Sequence, residues 1–234
     1  MGKTKSLAAS TVTILFLLFL VLSSGRASAT SYGPGAGGAI PDATANNATP
    51  GVFSSTIVIA GQPPTITSLN SVTLVFSSHS WVGDLEVELL APNGDNVDLF
   101  SRVGDTTPTG FGDSSNLAGT YIFVNSGGGN FAAAAASVGG STVVPPGTYN
   151  RSSTAGTAVP AADLDDFSMF AGDTINGTWT LFIRDWAVVD TGTFTSWSLD
   201  ITSTDSSTPV PEPGSLALLI LGLASLGMVR GQRR

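Results

Sequence analysis

The single histidine and the absence of cysteine limit the chemistry that this chain can perform. A Ser-His-Asp hydrolase needs a histidine as its general base, and His79 is the only histidine in the chain. No serine lies in a recognisable strand-to-helix nucleophile motif. We therefore predict no catalytic residue and expect His79 to be packed or hydrogen-bonded at the entry of a strand. Without cysteine, the chain also has no disulfide bond, thiolate metal site or cysteine nucleophile.

Three aspartates have the chemistry and the placement of a calcium site. Asp84 follows a glycine, Asp185 ends a predicted strand, and Asp190 lies in the next turn. Carboxylate oxygens are the hard ligands that Ca²⁺ prefers, and these segments can converge at one end of a β-sandwich. The sequence therefore indicates Asp84, Asp185 and Asp190 as metal ligands and calcium as the cofactor. In the alternative interpretation, each aspartate only caps the backbone of its own turn.

Two other pairs of acidic residues could supply the two carboxyl groups of a glycosidase, but the position of each pair has a simpler structural explanation. Glu86 and Glu88 alternate with apolar residues along a predicted strand, which places them on its water-facing side. Asp165 and Asp166 read as a turn. We therefore assign neither pair to glycoside hydrolysis, although the number of acidic residues leaves that reaction harder to exclude than a serine hydrolase.

The four tryptophans fall into two groups. Trp179 and Trp197 lie at alternating apolar positions of predicted strands and are expected in the core. Trp81 and Trp186 lie nearer to loops. The latter two are either ordinary packed residues or an exposed platform for a carbohydrate or a protein.

Charge is distributed unevenly along the chain. Between residues 30 and 208, three arginines stand against sixteen acidic residues, a balance of −13, whereas the lysines and the remaining arginines lie near the two ends. A field of this sign repels nucleic acid and anionic lipid. The acidic surface either keeps the domain soluble or attracts divalent cations, and we predict no nucleic-acid partner.

Residues 1–29 have the organisation of a secretory signal peptide. A basic start precedes an apolar run over 14–22, and Ala-Ser-Ala at 27–29 supplies a small-residue cleavage pattern. Signal peptidase is therefore expected to cut between Ala29 and Thr30. The alternative, an uncleaved signal anchor, is disfavoured because the apolar run is short for a membrane span.

Residues 210–234 form a second targeting segment, which follows a short linker over 204–209. Pro211, Glu212 and Pro213 precede an apolar stretch over 215–229 and a basic end. About fifteen helical residues span only about 22 Å, so a transmembrane helix here needs a thinned bilayer or snorkelling flanks. The terminal arginines are expected to stay cytoplasmic, which leaves the rest of the chain outside.

Between the two targeting segments, the pattern of apolar and polar residues predicts one all-β domain over 49–203. Short apolar alternations are separated by Gly, Pro, Asn and Asp, and an Asn-Gly turn after residue 92 predicts a hairpin. Residues 30–48 are rich in Gly and Ala without periodicity, which predicts a flexible linker. The Gly- and Ala-rich stretch over 126–140 is likewise expected to be a mobile surface loop.

Three segments of this domain resemble the P domain, also called the Homo B domain, of proprotein convertases. They are His-Ser-Trp-Val-Gly-Asp-Leu at 79–85, Ala-Pro-Asn-Gly at 91–94, and the block from Gly-Thr-Trp at 177–179 to Trp-Ser-Leu at 197–199. The resemblance implies an antiparallel jelly-roll or β-sandwich with a galactose-binding-like fold. In the better-known relatives, this domain follows a subtilisin-like catalytic domain, which is missing here. The alanine-rich stretch over 131–137 departs from the family pattern.

The last 25 residues resemble a PEP-CTERM sorting signal, which implies processing by the membrane enzyme exosortase. An ordinary single-span anchor is the alternative. The expected location is therefore an anchored intermediate in the inner membrane, followed by the cell surface or the medium.

We predict that the chain is a non-catalytic binding or structural module with an exopolysaccharide or protein partner, in an extracellular matrix. The alternative is an accessory domain for a separate subtilisin-like serine endopeptidase; a protease label would be inherited from longer relatives.

Overall fold

The structure, a computed structural model, describes residues 27–63, 65–106, 110–152 and 166–204. Within these ranges the chain forms ten β-strands, one α-helix and two 3₁₀ turns. The elements are β1 (Ala27–Ile40), β2 (Gly51–Ile59), β3 (Thr65–His79), a 3₁₀ turn (Val82–Asp84), β4 (Leu85–Leu90), β5 (Asn96–Ser101), β6 (Leu117–Val124), β7 (Gly129–Asn130), α1 (Phe131–Val138), β8 (Gly147–Asn150), a 3₁₀ turn (Phe167–Phe170), β9 (Gly177–Asp185) and β10 (Gly192–Thr204).

The described strands form two sheets, which confirms the prediction of an all-β fold. One sheet has six strands in the order β1-β10-β3-β6-β8-β7, and the other has four in the order β2-β9-β4-β5. Pairing is antiparallel except where β8 runs parallel to β6 and β7. Each sheet turns one apolar face inward, and a single core of aliphatic and aromatic side chains fills the space between them.

Alternation along β9 and β10 follows from the period of two in a β-strand. Trp179, Leu181 and Ile183 on β9 are buried, and so are Trp197 and its alternate neighbours on β10. The indole N–H of Trp179 donates to the carbonyl of Ile175 over 3.0 Å. Since both tryptophans lie in the core with their N–H groups bonded, the predictions for Trp179 and Trp197 are confirmed.

The prediction of a flexible linker over 30–48 is wrong, because β1 occupies most of this segment. β1 pairs with β10 along nearly its whole length, from Ala27 opposite Thr204 to Ile40 opposite Gly192. Its glycines are required by close packing: a Cβ at Gly35 would lie 2.0 Å from the indole nitrogen of Trp197. The glycine-rich composition predicted a linker, but here the glycines allow a strand to pack against a large side chain.

The expectation of a mobile loop over 126–140 is also wrong in part, since this stretch contains α1. The side chain of Asn130 caps the helix by accepting a hydrogen bond from the amide of Ala133. Phe131 is fully buried and packs against Phe100 and Phe123 with ring centroids 4.9 and 5.2 Å apart. One aromatic anchor and one cap thus order a segment whose composition is otherwise of low complexity.

Both predicted terminal helices lie outside the described residues. The same holds for the sorting motif Pro211, Glu212 and Pro213 and for most of the linker over 204–209. In the ranges that the structure covers, no helix is long and apolar enough to cross a membrane.

Candidate functional site

Two of the three predicted calcium ligands lie side by side at one end of the four-stranded sheet. Asp84 ends the 3₁₀ turn before β4, and Asp185 ends β9; Leu85 is paired directly opposite Asp185. The amide of Trp186 donates to the carbonyl of Asp84 over 2.9 Å, which fixes the two segments together. Both aspartates are buried, with exposed fractions of 1% and 0%.

The charges of the predicted ligands act on one another. Burial raises the pKa of Asp84 to about 8, and the negative charges of Asp185, Asp190 and Asp42 act in the same direction, while Arg102 opposes them. The charges of Asp185 and Asp190 therefore reach Asp84, while the assignment of the three as calcium ligands stays a prediction. The charge of Asp42, from the loop between β1 and β2, also acts on Asp84. No local signal identified Asp42, because it lies in the segment whose composition predicted a linker.

Several oxygen atoms at this end of the sheet are buried without a hydrogen-bond partner. They are Oδ1 of Asp84, Oδ1 of Asp42 and Oδ1 of Asn47. A buried acceptor without a partner carries a desolvation cost, so each oxygen favours a cation or a water molecule beside it. We call Asp42, Asp84, Asp185 and Asp190 the Asp84 cluster.

The Asp84 cluster is not a preformed coordination sphere. Within the described ranges, no three His, Asp or Glu side chains come together in a way that could hold a metal ion. Asp185 is already engaged: its Oδ2 lies 3.3 Å from Nε2 of His79, and its Oδ1 accepts a hydrogen bond from the amide of Ala187. Asp42 accepts a hydrogen bond from the amide of Val189 through Oδ2. The carboxylate oxygens are suitable ligands for calcium. To bind one ion together, however, these side chains would have to move closer to one another.

His79 is packed and hydrogen-bonded, although it ends β3 and does not begin a strand. Its side chain is fully buried, and Nε2 is bonded to Asp185. Its Nδ1 has no hydrogen-bond partner, so no hydroxyl group is bonded to this ring. A Ser-His-Asp arrangement requires a serine at the imidazole, and the contacts of His79 do not supply one.

The prediction that Glu86 and Glu88 face water is wrong. Both are buried on the outward side of β4, where Nη1 of Arg184 donates to Oε1 of Glu86 over 2.6 Å and also to Oε2 of Glu88. Trp186 donates from Nε1 to Oε2 of Glu86 over 2.9 Å. A sugar ring cannot reach carboxylates that are buried and already paired, so this pair does not form a glycosidase site.

Asp98 joins this group from β5, and sequence reasoning missed it. It lies directly opposite Glu88 in the β4–β5 register and is only 1% exposed. Neither of its carboxylate oxygens has a hydrogen-bond partner. Burial raises the pKa of Asp98 to about 8, and the charges of Glu86 and Glu88 add to this effect. The carboxyl of Asp98 is therefore largely protonated at neutral pH.

Trp81 and Trp186 do not form a freely exposed platform. Both are half-buried, and both indole N–H groups are bonded: that of Trp81 donates to the carbonyl of Phe111 over 2.6 Å. Each tryptophan also contacts the backbone of Asp84, since Asp84 donates to Trp81 and accepts from Trp186. The backbones of the two tryptophans therefore hold the segment of Asp84, while their rings are bonded elsewhere, to Phe111 and Glu86.

The predicted signal-peptidase site lies on β1. Ala29 and Thr30 are exposed and are paired with Thr202 and Ile201 of β10. Cleavage between them would remove the first three residues of β1 and leave the rest of the strand paired.

Two family models match the chain. The proprotein convertase P-domain matches residues 150–201, a range that contains β9 and most of β10, and the PEP-CTERM protein-sorting motif matches residues 209–234. No protein of curated function matches the chain.

The solved structures that are similar to this chain include a serine protease of Aeromonas sobria in complex with a chaperone. It is 16% identical, with a TM-score of 0.34, over 76% of this chain and 28% of that chain. The serine protease of the same organism alone is 17% identical, with a TM-score of 0.32, over 75% of this chain and 27% of that chain. The chain thus spans less than a third of the length of the proteases that it resembles.

The matched families agree with both resemblances seen in the sequence. The PEP-CTERM motif indicates a protein that is exported, processed at the membrane by exosortase and then located at the surface. The chain therefore combines a segment that matches the P-domain with one that matches a surface-sorting signal.

Proposed function

We propose that the chain is a surface-sorted, non-catalytic P-domain protein that acts as a binding or structural module in the extracellular matrix. The observation that carries this proposal is the adjacency of the two family matches. The P-domain match ends at residue 201, and the sorting match begins at residue 209. An exopolysaccharide or a protein of the matrix is the proposed partner.

The surroundings of His79 support a non-catalytic role. The only histidine is buried, and one ring nitrogen is bonded to Asp185, while the other meets no hydroxyl group. Glu86 and Glu88, the glutamates considered for glycoside hydrolysis, both form ion pairs with Arg184. Neither group offers a base that an incoming substrate can reach.

A second candidate is an accessory domain for a separate subtilisin-like serine endopeptidase. The P-domain match favours it, because that family is an accessory domain of such proteases. In this version the chain acts in trans and requires a protease partner.

Calcium is proposed as a stabilising ion at Asp84, Asp185 and Asp190. The unpartnered and buried Oδ1 of Asp84 supports this assignment, and Asp42 offers a further oxygen beside it. Ca²⁺ takes six to eight oxygen ligands, so backbone carbonyls and water must complete the shell.

The sorting step is tested with the full-length chain, tagged and produced in an exporting host that has exosortase. The wild-type chain should leave the membrane fraction and reach the surface or the medium, whereas Glu212→Ala should accumulate in the membrane. Asp205→Ala, which removes an acid outside the motif, is the matched control and should behave as wild type. Equal release of all three chains would contradict sorting through the Pro-Glu-Pro motif.

The released chain then distinguishes the two candidate functions. Retention on cell-surface polysaccharide without hydrolysis of protein or glycan supports the matrix module. Co-purification with a serine protease, together with a change in the stability of that protease, supports the accessory domain. Hydrolysis by the purified chain alone would contradict both.

A further inference from the structure

One of the two edge strands of the four-stranded sheet, β2, is unprotected. β2 pairs with β9 on one side in a continuous register, from Gly51 opposite Asp185 to Ile59 opposite Gly177, without any bulge. It is the terminal strand of its sheet and has no described partner on the other side. Its outward face carries Val52, 48% exposed, and Val58, 72% exposed. A long and regular edge strand of this kind presents backbone groups that can pair with another chain.

One edge strand of the other sheet, β1, has by contrast the features that prevent such pairing. β1 contains Pro34, which lacks an amide N–H, and its register shifts between Tyr32 and Gly35. β2 has neither a proline nor a register shift, and it has no charged residue. Of these two edge strands, β2 is therefore the unprotected one.

Electrostatics favour a second copy of the same chain as the occupant of this edge. Between residues 30 and 208 the chain has a balance of −13, so two copies repel each other over most of their surfaces. Among the described residues 27–63, Asp42 is the only charged side chain, and it lies in the loop before β2. Two copies can approach most closely where both are uncharged.

The sequence of β2 is complementary to itself in one antiparallel register. When Ser55 lies opposite Ser55 of the second copy, Val52 faces Val58 of that copy and Ser54 faces its Thr56. Val52, Ser54, Thr56 and Val58 are all exposed on one face of β2. Aliphatic pairs and hydroxyl pairs are the cross-strand combinations that stabilise antiparallel strands. A two-fold axis through this register satisfies the symmetry of a homodimer.

We propose that two copies of the chain associate through antiparallel pairing of β2 with β2, which joins their four-stranded sheets into one of eight strands. This proposal goes beyond the matrix or accessory function and does not depend on either. The interface is small, so the association is expected to be weak in dilute solution and to become appreciable where copies are concentrated, as at a surface.

The chain has no cysteine, which makes the register directly testable by disulfide cross-linking. Full-length Ser54→Cys and Thr56→Cys chains, with different tags, are produced together in the exporting host and mildly oxidised. In the proposed register these two positions lie directly opposite, about 4.5–5.5 Å apart between Cα atoms, which a disulfide can bridge. The mixed dimer should therefore be the main cross-linked product.

Two same-position controls define the register. Ser54→Cys alone or Thr56→Cys alone would have to join diagonal positions about 7–8 Å apart, so each should give much less dimer than the mixture. Thr178→Cys lies exposed on β9, one strand further in, and should give only the background of random collisions. Melting temperatures of the variants, equal to that of wild type, confirm that all are folded.

A charge placed in the interface supplies an independent readout. Val58→Asp should strongly reduce the mixed dimer, because it adds a carboxylate opposite Val52 of the second copy. Val189→Asp, at another highly exposed valine, should leave the dimer unchanged. A mixed dimer no more abundant than the Thr178→Cys background, or one insensitive to Val58→Asp, would overturn the proposal.

Discussion

Individual carboxyl groups show how strongly burial can change the behaviour of a residue in an acidic protein. Glu86 and Asp98 lie at positions where strand alternation predicts contact with water, yet both are buried. Glu86 is compensated by Arg184 and Trp186, whereas Asp98 has no hydrogen-bond partner. An ionised carboxylate without a partner is costly in such a place, so Asp98 keeps its proton.

The proton on Asp98 makes stability depend on pH. The pKa of Asp98 is about 8 in the folded chain, against 3.8 ordinarily, so between about pH 4 and pH 8 the folded state holds a proton that the unfolded state has released. The free energy of unfolding should therefore fall as pH rises through this window. In Asp98→Asn the slope should be shallower, by up to about 1.4 kcal/mol per pH unit.

Denaturant unfolding of the full-length chain from pH 4.5 to pH 8.5 measures this slope. Asp95→Asn, in the turn between β4 and β5, removes the same charge from a less buried site and serves as the control. Equal slopes for wild type and Asp98→Asn would show that Asp98 is ionised in the folded chain.

Among the elements, β1 shows how glycine can specify a strand. Its glycines lie where β10 approaches, with Trp197 over Gly35 and the carbonyl of Thr195 2.2 Å from the position of a Cβ on Gly37. A strand with side chains at these positions could not lie against β10. Local composition favours a linker, and the long pairing with β10 overrides it.

Gly35→Ala should therefore destabilise the domain by roughly 1–3 kcal/mol, the usual cost of overpacking a closely packed site. The added methyl group meets the indole of Trp197, which is itself hydrogen-bonded to Ser55 on the other sheet and cannot easily move. Thermal unfolding followed by tryptophan fluorescence measures the loss. Ala36→Ser, at the exposed neighbouring position, should change stability by less than about 0.5 kcal/mol. Equal stability of Gly35→Ala and wild type would mean that β1 does not pack on Trp197.

At the scale of the whole molecule, the Asp84 cluster joins distant parts of a chain that has no disulfide bond. Asp42 precedes β2, Asp84 precedes β4, and Asp185 and Asp190 flank the turn from β9 to β10. A bound cation would connect these loops and favour the ionised form of Asp84 among the other carboxylates. It would act on the unfolding of the whole domain, because the loops belong to strands of both sheets.

Calcium should accordingly raise the melting temperature of the full-length chain relative to a sample in EGTA. At a Ca²⁺ concentration 100 times Kd the expected stabilisation is about 2.7 kcal/mol. Asp84→Asn should abolish this rise, and Asp98→Asn, which removes another buried carboxyl group away from the cluster, should retain it. A rise of the same size in both variants, or no rise in wild type, would contradict the calcium proposal.

The sequence by itself determined the all-β class, the β4–β5 hairpin, the buried Trp179 and Trp197, and the two matched families. These features depend on local alternation, turn chemistry and short motifs, which a strand carries within its own residues. Only the tertiary structure decided that residues 27–40 form a strand, that Glu86, Glu88 and Asp98 are buried, and that Asp42 joins the Asp84 cluster. These outcomes depend on residues distant in the chain, such as Trp197 for Gly35 or Arg184 for Glu86. Long-range strand pairing and burial determine these features, and neither can be predicted from a local sequence pattern.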